Sequence, residues 1–215
     1  MAPEFGTAQL VALAAALGWA SGLRLYAVLA LTGIAGATGW VSLPPGLSLL
    51  QHPLCIGLSV LMVCLEFAAD KIPGVDTLWD VLHTLIRIPA GAALAASVFG
   101  LDQTATAGVA ALFGGVLAAT SHAAKLTARA AVNTSPEPFS NIALSLLEDG
   151  LVPFILWLAV SHPAVFYPVL GVGVLAMLAV VWTMSRFLRA LWRRLLRAGA
   201  AVSEPGGDAT ASARG

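Results

Sequence analysis

Long apolar runs alternate with short polar interruptions along this chain, and the runs have the lengths of helices. Residues 8–38 form the first, interrupted by Gly18, Ser21 and Gly22 and then by Arg24. A plain membrane span needs about 20 residues, so this run predicts a first transmembrane helix with a weak point at 18–22. Residues 39–52 hold Pro44, Pro45, Gly46 and His52 and predict a loop. A second helix is expected over 53–70, and a third over 76–100 with a kink at Pro89. A fourth covers 106–131, and its Gly- and Ala-rich start suits close helix packing. A fifth runs over 139–161, split by Gly150 and Pro153. A sixth runs over 164–196 and leaves the membrane through Arg186, Arg189, Arg193, Arg194 and Arg197. From 198 to 215 the composition predicts a disordered cytoplasmic tail. The expected fold is all-α: one polytopic membrane domain, 8–197, of six transmembrane helices.

The polar positions are not scattered. The segment Glu66 to Pro89 holds four carboxylates and two basic residues between apolar stretches. Asp76, Asp80, His83 and Arg87 are spaced four, three and four, which puts them within an arc of roughly 60° on one helix face. Glu66 and Asp70, four apart, form a second stripe just upstream. The turn Lys71 to Val75 separates the two stripes, and Asp76 is placed to cap the helix that follows. His122, Lys125 and Arg129, spaced three and four, share a face of the fourth helix. Glu148 and Asp149 precede Gly150. Arg24 lies too deep to reach an interface easily, so a carboxylate partner is expected for it, Glu66 or Asp70. Charges at membrane depth are costly and face one another or water. Asp80 with His83 is the expected seat of coupling chemistry, since an imidazole titrates near neutrality.

Two hairpins share one pattern: apolar helix, Pro turn, helix with a polar face, Pro, apolar half-helix. With an offset of 65, Pro73 falls on Pro138, Asp76 on Asn141, Asp80 on Ser145 and His83 on Glu148. Residues 53–100 and 106–161 would then be a repeat of the parallel type, related by an axis along the membrane normal.

Composition narrows the class further. The chain is 59% hydrophobic and 10% charged, where a soluble domain carries about 25% charged residues. Its net charge is zero, which gives no footprint for nucleic acid. Cys55 and Cys64 have neither disulfide nor zinc spacing and read as buried free thiols. The start of the chain lacks the basic residues of a signal peptide, so no cleavable leader is expected. Basic residues gather at Lys71, at Lys125 and Arg129, and in the C-terminal arginine cluster. The stretches 39–52, 101–105 and 162–163 have none. With six spans, the positive-inside rule places both termini in the cytoplasm.

Ala69-Asp70-Lys71-Ile72-Pro73-Gly74-Val75-Asp76, then Trp79-Asp80, His83 and Ile86-Arg87-Ile88-Pro89-Ala90-Gly91-Ala92, together with Gly22-Leu23-Arg24 and Tyr26, resemble the signature of a bacterial membrane-protein family, domain of unknown function 4126. The resemblance covers most of residues 8–165. It implies an integral protein of the bacterial inner membrane and supplies neither substrate nor catalytic residue.

Intramembrane carboxylates, a nearby imidazole and broken helices are the equipment of a transporter or channel for a small polar or ionic solute, with proton coupling as one form. The expected pathway residues are Arg24, Glu66, Asp70, Asp76, Asp80, His83, Arg87, His122, Lys125, Arg129, Asn141 and Glu148. No cofactor is expected, and the sequence leaves any metal open. The expected partners are the bilayer, the solute and a second copy packed on the small residues of 105–119. Two other readings remain: a membrane enzyme acting on a lipid-linked or phosphorylated substrate, and a scaffold subunit.

Overall fold

A computed structural model of the protein describes residues 5–72, 74–100, 103–134 and 139–202. Pro73 and Pro138, the pivots of the expected repeat, lie outside the described residues, as do residues 203–215 of the expected tail, while residues 198–202 of that tail are helical and end α6. The described residues form α1 (Thr7–Ala37), a 3₁₀ helix (Pro45–Gln51), α2 (Pro53–Ala69), α3 (Val75–Ser97), α4 (Thr104–Val132), α5 (Phe139–Ser161) and α6 (Pro163–Val202), with no strand among them. The stretch expected as a loop thus contains a 3₁₀ helix. His52 ends it and starts α2, its ring nitrogen accepting the Leu54 N–H at 3.2 Å. Four helices, α1, α4, α5 and residues Pro163–Arg194 of α6, are long and apolar enough to cross a membrane. The 3₁₀ helix and α2, bent by 68°, would add a fifth. The polar face of α3 keeps it out of that set.

The first helix does not take the path expected of a span. Its backbone leaves helical geometry at Arg24, with φ −143° and ψ 75°, two residues beyond the expected weak point. The chain folds back there. Leu13 lines the same cavity, of about 500 Å³, as Leu31, Thr32 and Thr38. In one continuous helix Leu13 and Thr38 would stand roughly 37 Å apart. The Ala8 carbonyl accepts a hydrogen bond from Tyr167 at the start of α6 (2.6 Å). Gly33, on the other arm, packs against Leu50 of the 3₁₀ helix and Ile56 at the start of α2. Both arms of α1, 7–23 and 25–37, therefore open toward the end of the bundle that holds residues 38–52 and 161–163, and Arg24 is the apex at the other end. Where six spans were expected, four described helices, or five with the bent pair, have the length and composition of spans. Ala8 lies beside the start of α6, and α6 runs 40 residues away from it, about 60 Å. The pattern could not show this, because an apolar run reads alike whether it continues or doubles back.

This hairpin sits at the centre. In its most apolar stretch 78% of residues are buried, against 6% in α6. It packs on α3, α4 and α5, and its N-terminal arm approaches α3 and α4 backbone to backbone. A Cβ on Gly18 would overlap the Gly114 backbone, and one on Gly114 would overlap Ala95 and crowd the Gly91 carbonyl. Gly22 is pressed against Ser121 and the Ala118 carbonyl. Of the small residues 105–119 expected at a dimer surface, Gly114 and Ala118 are thus taken up inside, while Leu112, Phe113 and Val116 face outward.

Candidate functional site

A bend at membrane depth frees backbone carbonyls, which must find donors within the protein. In the turn before Arg24 these donors come from one face of α4. Ser121 Oγ donates to the Trp19 carbonyl at 2.6 Å, His122 Nδ1 to that of Gly22 at 3.2 Å, and Lys125 Nζ to that of Leu23 at 3.0 Å. The spacing of His122 and Lys125, with Ser121 beside them, therefore has a structural consequence: it carries donors down the break in α1, while Arg129, one turn further on, donates to the Asp70 carbonyl.

Arg24 at the apex enters a charge cluster built by the end of α2, the first half of α3, the last half of α4 and the first half of α5. It pairs with Asp70 at 2.7 Å, Asp149 at 3.0 Å and Glu148 at 3.6 Å, and donates to Ser145 Oγ at 2.8 Å. Of the two expected partners, Asp70 is the one it meets. Glu66 pairs instead with Arg87, which also holds Asp80 at 2.9 Å. Lys125 is the hub. Its ammonium lies 3.2 Å from both Asp80 and Glu148, 3.6 Å from Glu66 and 3.8 Å from Asp70. Arg129 reaches Asp70 at 3.2 Å, Asp76 at 3.3 Å, Glu148 at 3.4 Å and Asp80 at 3.5 Å, and donates to Asn141 Oδ1 at 3.2 Å.

Asp76 is not the cap of α3. Gly74 holds that position with φ +89°, a backbone conformation that suits glycine. Asp76, two residues on, takes the Gly74 N–H at 2.8 Å and that of Thr77 at 2.6 Å. Its carboxylate also receives Asn133 at 3.0 Å and Asn141 at 3.1 Å. It thus ties the α2–α3 turn to the end of α4 and the start of α5. Asp76 and Asn141 are the two positions matched by the offset of 65, and they touch.

Four cations, Arg24, Arg87, Lys125 and Arg129, and five carboxylates, Glu66, Asp70, Asp76, Asp80 and Glu148, are buried here. Eleven of the twelve expected pathway residues meet in this network. His83 does not pair with Asp80. Its Nδ1 donates to the Trp79 carbonyl at 2.7 Å, its ring stacks on Trp79 at 4.3 Å, and Tyr26 meets it edge-on at 5.7 Å. The imidazole of the cluster is His122. With Nδ1–H given to Gly22, its Nε2 accepts from Thr84 Oγ1 at 2.7 Å. Thr84, Ser121 and Asn133 are the participants that sequence reasoning missed; each is one or four residues from a charged or imidazole neighbour, the only signal available. Lys71 stays outside, over the Phe67 ring. His162 is likewise apart from the cluster, against Trp157. Among the described residues, no three His, Cys, Asp or Glu side chains are grouped to hold a metal ion.

Apolar helices enclosing a buried charge cluster define a helical membrane protein. The chain belongs to the family described as domain of unknown function 4126, whose model matches residues 11–185. No curated protein and no solved structure matches it.

Proposed function

We propose that this protein is a small membrane transporter or channel for a small polar or ionic solute, with the buried cluster as its pathway element. The observation that carries the reading is the broken helix. An apolar hairpin brings Arg24 among eight other buried charges, and its freed carbonyls lie against the same face of α4. Ion networks seldom outperform apolar packing on stability alone. Interrupted helices that carry ionisable groups to membrane depth are what solute and ion pathways use.

In this reading α1 is re-entrant and α2, α4, α5 and α6 are joined as spans by α3, which is less apolar than they are and turns its polar face into the cluster. The positive-inside rule then places the turns near residues 73 and 135 and the arginine-rich end of α6 in the cytoplasm, and the arms of α1 open outward. The repeat is read as the hairpins α2–α3 and α4–α5. Both are splayed, and the contact of Asp76 with Asn141 is what an axis between them would produce.

The scaffold reading has one observation in its favour: each of the four cations is already paired. Purified protein in vesicles, with an internal pH-sensitive dye and imposed proton and potassium gradients, separates the two. Ion flux above that of empty vesicles, lost in Asp80→Asn and Lys125→Met proteins that still fold, supports transport. Flux unchanged in both variants contradicts it and leaves the scaffold.

A further inference from the structure

We infer that the basic face of α6 around Arg186, Arg189 and Arg193 is a binding surface for the headgroup of a net-anionic phospholipid. The inference goes beyond the transport reading. It rests on α6 being a span, and ion flux does not enter it.

The charges of this chain are sorted by place. Among the described residues every carboxylate belongs to the charge cluster, where the ion pairs are. The sixth helix, Pro163–Val202, carries five arginines and no acidic residue. Arg186, Arg189, Arg193 and Arg194 are exposed, and none of them pairs with a carboxylate among the described residues.

The spacing of three and four puts Arg186, Arg189 and Arg193 within an arc of roughly 60°, with Trp182 one turn before Arg186. The Arg186 guanidinium lies over the Trp182 ring at 4.7 Å. Arg189 donates through Nε to the Ser185 carbonyl at 3.0 Å, and Arg193 through Nε to that of Arg189 at 3.3 Å. These two side chains are thus laid back along the helix, and their terminal nitrogens keep donors for a ligand. With Trp182 and Ala190 the three arginines line an open concavity of about 380 Å³. The guanidinium fork matches the oxygens of a phosphodiester. With no acidic side chain on α6, nothing there receives a choline or ethanolamine ammonium. That favours a lipid of net negative charge over a zwitterionic one.

Depth agrees with charge. Tyr167 meets Ala8 at the far end of the bundle. From Tyr167 to Arg186 the helix rises about 29 Å, close to the hydrocarbon thickness of about 30 Å. The three arginines therefore stand where acyl chains give way to phosphates. At that level each basic residue adds roughly a fivefold preference for anionic lipid.

Native mass spectrometry of the full chain, released from micelles holding equal amounts of phosphatidylglycerol and phosphatidylcholine, reads the retained lipid directly. The wild-type protein should retain phosphatidylglycerol in excess. Arg186→Gln, Arg189→Gln and Arg193→Gln should each lower that excess about fivefold. Arg194→Gln, off their face and outside the concavity, should change it least. All four side chains are exposed, so the variants should keep the wild-type unfolding midpoint. Equal retention of the two lipids by the wild-type protein overturns the inference. An excess that survives the triple Gln change, or that falls as far in Arg194→Gln as in the others, also overturns it. So does displacement of the lipid by inorganic phosphate or by a single-stranded oligonucleotide, which would make the face a general anion or nucleic-acid surface.

Discussion

The ammonium of Lys125 donates to the carbonyl of Leu23 at 3.0 Å, one residue before the backbone leaves helical geometry at Arg24. One side chain thereby joins the break in α1 to the carboxylates of α2, α3 and α5. Lys125→Met keeps the length of the side chain and removes the charge. It strands a buried carbonyl and takes the hub cation from four carboxylates. Loss of one partner of a buried ion pair costs about 3–5 kcal/mol, and thermal unfolding in detergent should register a loss of that order.

Arg24 and Asp70 should couple. Arg24→Leu leaves Asp70 with fewer cations at the apex, so Arg24→Leu with Asp70→Asn should be less destabilised than the two single changes together. Arg24→Leu with Glu66→Gln should be closer to additive, since Glu66 pairs elsewhere. A double-mutant cycle on unfolding midpoints measures both. The opposite ordering would place Arg24 beside Glu66.

The two imidazoles should behave differently. His83 lies between Trp79 and Tyr26 and off the ion network, so His83→Phe should preserve folding and flux. His122 donates to the freed Gly22 carbonyl and accepts from Thr84. His122→Phe should cost stability, about 1–3 kcal/mol for the stranded carbonyl, and reduce flux. Equal effects of the two changes would return the coupling role to His83.

Gly74 starts α3 at φ +89°, where an added Cβ meets nothing but the backbone conformation itself is unfavourable. Gly74→Ala should destabilise by about 1–2 kcal/mol. Gly108→Ala, on an open face of α4, should be neutral or slightly stabilising. Unfolding midpoints of the two variants in parallel provide the comparison.

Much of the cluster was legible because helix geometry converts spacing into direction. Asp76, Asp80 and Arg87 do share a buried face of α3, and His122, Lys125 and Arg129 share one of α4. The need of a buried Arg24 for a carboxylate was legible for the same reason that charges avoid apolar surroundings. The choice between Glu66 and Asp70 was not, because they differ by one helical turn and only the packing of α2 against α1 decides. His83 shares the spacing of its face but sits at its edge, where Trp79 and Tyr26 capture it. The doubling back at Arg24 left no trace in hydropathy. What betrays it is the set of contacts each arm makes, Ala8 with Tyr167 and Gly33 with Leu50.

In the proposed arrangement α1 enters and leaves by one face of the membrane, so that its apex lies within the charge cluster. In a background with Cys55 and Cys64 replaced, single cysteines at Thr7, Trp40, Thr134 and Arg189, all exposed, can be labelled with a membrane-impermeant maleimide in sealed, oriented vesicles. Thr7→Cys and Trp40→Cys should react from one side, and Thr134→Cys and Arg189→Cys only from the other. Reaction of Thr7→Cys from the same side as Arg189→Cys would make α1 a through-span and contradict it.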